Sequence, residues 1–276
     1  MIMQTRPRRE PIFNLPTVVM LSVALMVAIH AIRLALPDIW DEWILGLFAF
    51  APDRYLPEGG DDVFWPGGVA AALWSPFTYA LLHNDLLHLI SNCAVFAALG
   101  NVLARRMTAG GFLLFCLITA PLAAIGELII AVYQSAPVIG VSGVICAMMG
   151  GLARILPEPQ PQPQPQPRPS PPPVEATGRP DDGDGAAFDA PPPPERPQAR
   201  RLGRSDMAPV LETLRRPRVI QFIGAFAVMN LVLVFAAPML VGGGAGVAWM
   251  VHVAGFIAGF LLFPWFEGRR GVHAQQ

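Results

Sequence analysis

Six stretches of this chain, at 17–36, 77–103, 110–133, 140–156, 219–241 and 247–266, are apolar over close to the length a helix needs to cross a bilayer. The hydrocarbon core takes about 20 residues of helix, and within it the backbone must satisfy its own hydrogen bonds. An all-α bundle of six membrane-spanning helices is therefore predicted. Composition agrees, since 53% of the residues are apolar and only 14% charged, against about 25% charged in a soluble domain. The first stretch exceeds the roughly 7–15-residue core of a secretory signal and no convincing cleavage site follows it, so it reads as a retained span. The fourth is short and begins at Gly140, which sinks its first turn below the membrane surface if its other end reaches the far interface.

Arginine placement predicts orientation, because positively charged loops stay in the cytoplasm. Arg6, Arg8 and Arg9 precede span one, Arg105 and Arg106 follow span two, the stretch from Arg154 to Arg218 lies between spans four and five, and Arg269 and Arg270 follow span six. All of these fall on one side, and both termini are expected to be cytoplasmic. The organisation that results is a tail at 1–16, core spans one to four at 17–156, an insertion at 157–215, core spans five and six at 216–266, and a tail at 267–276. The outer loop at 37–76 mixes Trp40, Trp43, Phe48, Phe50, Phe64 and Trp65 with acids, as suits a partly immersed interfacial hairpin or an aromatic-belt flank.

Residues 157–197 hold sixteen of the thirty prolines. Proline removes backbone donors and favours extended geometry, so this segment is expected to be a disordered cytoplasmic loop. It serves either as a spacer or as a ligand for a proline-reading partner. A short juxtamembrane helix is expected within 206–218. The net charge of -1 leaves no basic excess to recruit nucleic acid. The basic residues are all arginine, and that usage, with abundant alanine and proline, suits a bacterial inner-membrane protein from a GC-rich genome. Three cysteines scattered through apolar runs are poor material for a disulfide framework.

Polar side chains inside spans are costly and mark function by default. In span two, His88 and Asn92 lie four apart on one helical face. In span four, Ser142 stands between Gly140-Val141 and Gly143. In span six, His252 is followed by Gly255 and Gly259 at a spacing that admits a second helix closely, and Gly143, Ala147 and Gly150 offer the matching face on span four. Peptide-bond hydrolysis needs a nucleophile, a base and an oxyanion site. A serine hydroxyl is a weak nucleophile until a base takes its proton, and a serine at a helix start has unpaired backbone N–H groups and a positive dipole end beside it. No carboxylate adjoins either histidine, so a Ser/His dyad is the simpler assignment. These residues do not by themselves decide between His88 and His252 as the base. Glu127, Asn230 and His30 read as structural hydrogen-bonding groups.

The run His83-Asn-Asp-Leu-Leu-His88-Leu-Ile-Ser-Asn92, the run Gly140-Val-Ser142-Gly143 and the run Trp249-Met-Val-His252-Val-Ala-Gly255-Phe-Ile-Ala-Gly259 together resemble the rhomboid intramembrane serine proteases. The resemblance covers roughly 17–156 and 216–266. It implies Ser142 as nucleophile, His252 as its base, and His88 and Asn92, with the Ser142 backbone, as oxyanion donors. It further implies active-site support from Gly140, Gly143, Gly255, Gly259, His83 and Trp249, no metal or organic cofactor, and transmembrane segments of other membrane proteins as substrates, entering past span five. Two departures stand out. Trp74 is followed by Ser75 where the family has arginine, removing a loop-bracing cation, and Cys146 replaces an aromatic that stacks on the base. A non-proteolytic relative that binds or escorts membrane proteins is the alternative. A small transporter with His88, Glu127 and His252 as a polar path is another, though no internal repeat is visible.

Overall fold

The computed structural model of the chain describes residues 15–55, 65–129, 137–157, 208–241 and 248–267. Nine helices run through them in the order α1 (Thr17–Ala35), α2 (Asp38–Phe48), α3 (Gly68–Thr78), α4 (Leu86–Ala104), α5 (Ala109–Leu128), α6 (Ser142–Arg154), α7 (Val210–Arg215), α8 (Pro217–Val241) and α9 (Trp249–Phe266). Among the described residues there is no strand, only an isolated antiparallel bridge between Phe50 and Val138. Helices α1, α4, α5, α9 and the Pro217–Phe235 part of α8 are long and apolar enough to cross a membrane. The sixth apolar helix, α6, has thirteen residues. The chain is an integral, multi-pass membrane protein with an all-α bundle.

The second span differs from the sequence expectation. Helix does not run through from residue 77. Instead α3 ends at Thr78, a turn of 3-10 helix covers Tyr79–Leu81, and Leu82 is extended. The reason is local, because Asp85 accepts the His88 backbone N–H at 2.8 Å. That carboxylate satisfies one of the donors that a new helix start leaves unpaired, so α4 begins at Leu86 and His88 falls in its first turn.

Within the outer loop, α2 and α3 are both helical. Trp40 and Trp43 are exposed along α2, and Trp74 is bonded at its indole N–H to the Leu47 carbonyl, 2.9 Å away. Ser75 is fully buried with its hydroxyl 3.1 Å from the Tyr55 hydroxyl, which donates to the Ala72 carbonyl at 2.6 Å. Burial pushes the Tyr55 pKa up, so the hydroxyl remains a donor. Arg54 braces this loop. Its guanidinium donates to the Pro66 carbonyl at 2.9 Å and to the Gly46 carbonyl, and lies 5.5 Å from the centre of the Trp65 ring.

Two buried arginines tie the bundle's ends. Arg33, in the last turn of α1, pairs with both Asp41 oxygens at 2.7 and 3.0 Å and donates to the His83 carbonyl at 2.7 Å. It thereby fixes the segment leading into α4. Arg154, at the end of α6, donates to the Thr213 hydroxyl and the Ala208 carbonyl, each at 3.0 Å, and rests on the Phe260 ring. The α7 helix that Thr213 belongs to falls inside the 206–218 range. The proline-rich stretch from 158 onward, and with it the expected disorder, lies outside the described residues up to 207.

Candidate active site

Ser142 is the first residue of α6 and His252 lies in the first turn of α9. Their side chains meet, with Ser142 Oγ 3.0 Å from His252 Nε2. What brings them together is the contact between the two helices. A Cβ placed on Gly255 would collide with the Gly143 carbonyl, one on Gly259 with the Ala147 carbonyl, and one on Gly150 with the Phe256 carbonyl. The helices therefore approach backbone to backbone, as small-residue faces allow and no larger residue could. Gly143 is itself hemmed in by Val251 and Ala123, at 2.6 and 2.9 Å from where its Cβ would lie.

Gly140 turns the chain into α6. Its φ of +112° belongs to glycine, and its amide is held by the Tyr79 carbonyl at 3.0 Å. A Cβ there would stand 2.8 Å from His88 Nε2 and 3.5 Å from Asn92 Nδ2. His88 and Asn92 thus flank the backbone two residues ahead of Ser142, and Gly140 leaves them room. Asn92 is buried, and its Nδ2 has no hydrogen-bond partner among the described residues. This geometry gathers an alcohol, an imidazole, a second histidine and an unengaged amide donor at the start of a helix.

A family model of the Rhomboid domain matches residues 70–165. Over those residues the chain is similar to the Rhomboid domain. The matched residues include His83, His88, Asn92 and the Gly140–Gly143 turn, while His252 lies beyond them. No curated protein matches the chain.

His83 is fully buried, its ring 5.1 Å from that of His88 in an edge-on arrangement, with neither ring nitrogen bonded within the described residues. Trp249 opens α9 and lines, with Asn230, Phe226 and Phe256, an apolar cleft of about 750 Å³ between α8 and α9. Cys146, one turn after Ser142, packs in a cluster with Phe226, Phe256 and Phe260. Glu127 lies on α5 and meets the Val251 backbone, at the start of the helix that carries His252. His30 is buried on α1 with neither ring nitrogen bonded within the described residues.

The sequence reading missed one contact. The dyad's imidazole is not held by Trp249 or by an aromatic at position 146. Its Nδ1 lies 2.8 Å from Asn230 Oδ1 on α8. The signal was present, because Asn230 is the single amide in the otherwise apolar run from Phe222 to Val241. Its pairing with His252 depends on how α8 leans on α9 through Phe226 and Phe256, whose rings stack 4.4 Å apart, and spacing does not give that. Among the described residues no group of His, Cys, Asp and Glu is arranged to hold a metal ion.

Proposed function

We propose that this protein is a rhomboid-type intramembrane serine endopeptidase that hydrolyses peptide bonds in or beside the transmembrane segments of other membrane proteins. The observation that carries the reading is the 3.0 Å contact between Ser142 Oγ and His252 Nε2. At that distance the ring can take the hydroxyl proton as the oxygen attacks a carbonyl carbon. The attack forms a tetrahedral adduct whose oxyanion is received by the Ser142 amide, His88 and Asn92. His252 then returns the proton to the leaving amine, the C–N bond breaks, and an acyl-enzyme remains. Water, deprotonated by the same ring, releases it and restores the hydroxyl. Aiming donors at the developing charge is worth about 10²–10³ in rate per donor in serine hydrolases.

On this reading the reaction faces the side opposite the arginine-rich loops, with both termini in the cytoplasm of a bacterial cell, and a substrate helix enters beside α8. The test is labelling of the full-length protein in detergent by a fluorophosphonate probe. The parent should be modified and Ser142→Ala should not. Equal labelling of the two would remove the nucleophile and leave a membrane-protein binding or escort role as the better account.

A further inference from the structure

We infer that Asn230 is a positioning residue that sets the tautomer and ring orientation of His252, an inference that rests on the serine-peptidase reading above. Which atoms can donate decides the orientation of both side chains. Asn230 Nδ2 lies 2.9 Å from the Phe226 carbonyl, which only accepts, so the amide nitrogen must face it. That leaves Asn230 Oδ1 toward His252 Nδ1 at 2.8 Å. Oδ1 also only accepts, so Nδ1 must carry the hydrogen. A neutral imidazole has a single N–H. The lone pair is therefore on Nε2, facing the Ser142 hydroxyl at 3.0 Å.

A relay of donors thus runs in one direction, with Ser142 donating to His252, His252 to Asn230 and Asn230 to a main-chain carbonyl of α8. Both intermediate residues are buried, Asn230 at 5% and His252 at 8% exposure, so water does not compete for the bond. The reverse tautomer would set the Nδ1 lone pair against those of Asn230 Oδ1, and would present a hydrogen at Nε2, where the base must accept. The partner is an amide, not a carboxylate. It orients the ring without contributing a charge that would hold the imidazolium.

The experiment uses the full-length protein in detergent, the rate of fluorophosphonate labelling as a function of pH, and thermal melting to record folding. Asn230→Ala removes the acceptor and frees the ring, and the labelling rate is expected to fall about 10-fold to 100-fold. Asn230→Asp keeps an acceptor of nearly the same shape but adds charge. It should retain most of the rate at high pH, with the pH of half-maximal rate moved upward by about one unit or more, because a carboxylate beside the ring favours its protonated form. A merely structural asparagine would not move that midpoint. If Asn230→Ala does not fold, the midpoint of Asn230→Asp decides alone. Unchanged rates and midpoint in a protein whose labelling still requires Ser142 would overturn the role of Asn230 and leave the peptidase reading standing. Labelling that survives Ser142→Ala would instead overturn the peptidase reading itself.

Discussion

Gly255→Ala adds one methyl group where the helices that carry Ser142 and His252 touch backbone to backbone. The new carbon would collide with the Gly143 carbonyl oxygen and lie 3.0 Å from the Gly143 carbonyl carbon. Carbon–carbon contacts are comfortable at about 3.5–4.0 Å, so α6 and α9 must part by roughly 0.5–1 Å. Gly143 adjoins the nucleophile and Gly255 is one turn from the base, so the displacement is passed directly to the 3.0 Å contact between Ser142 and His252. Stretched to about 3.5–4 Å, that contact is no longer a hydrogen bond. A misplacement of about 1 Å costs on the order of 10²-fold in rate, and overpacking costs about 1–3 kcal/mol of stability. The assay is fluorophosphonate labelling at matched protein concentration, with melting to show that the variant is folded. Gly224→Ala, on α8, is the control, since nothing lies within 4 Å of its added carbon, and it should label at the parental rate. A folded Gly255→Ala that labels within about twofold of the parent, well inside the 10²-fold loss expected from misplacement, would refute the reasoning.

Two further outcomes are expected. Asn92→Ala should lower the labelling rate by about 10²-fold while leaving the melting temperature close to the parent's, because its Nδ2 has no bond within the described protein to lose; a large drop in melting temperature at unchanged rate would make it a packing residue. Arg33→Met should destabilise the fold by about 2–3 kcal/mol, below the 3–5 kcal/mol of a wholly buried pair because Asp41 remains partly exposed; an unchanged melting temperature would show that the tie to Asp41 and the His83 carbonyl contributes nothing.

The bundle was legible because lipid enforces a simple rule. Each apolar run had to become a helix, and all six did, including the short α6. The close approach of spans four and six was legible in their small-residue faces, whereas the choice of His252 over His88 came from the family resemblance. Boundaries were less so. The second span begins at Leu86, since Asp85, last of the polar step His83-Asn84-Asp85, caps a new helix there. The bracing by Arg54 depends on carbonyls at Gly46 and Pro66 converging from distant positions. Asn230 was visible as a polar residue in lipid but not as the partner of His252. Its bond is fixed by the tilt of α8 against α9, a property of aromatic packing with no periodic trace in either helix.

The shortness of α6 has a consequence for selection. Thirteen residues of helix rise about 20 Å, some 10 Å less than the hydrocarbon slab. If Arg154, moored at the opposite end, lies at one interface, the hydroxyl would hang at a set level beneath the headgroups of the other. Such a protease would measure its guests as a sounding line does, by how far down a susceptible bond hangs. A bond two helical turns higher or lower would slide past untouched, whatever residues flanked it.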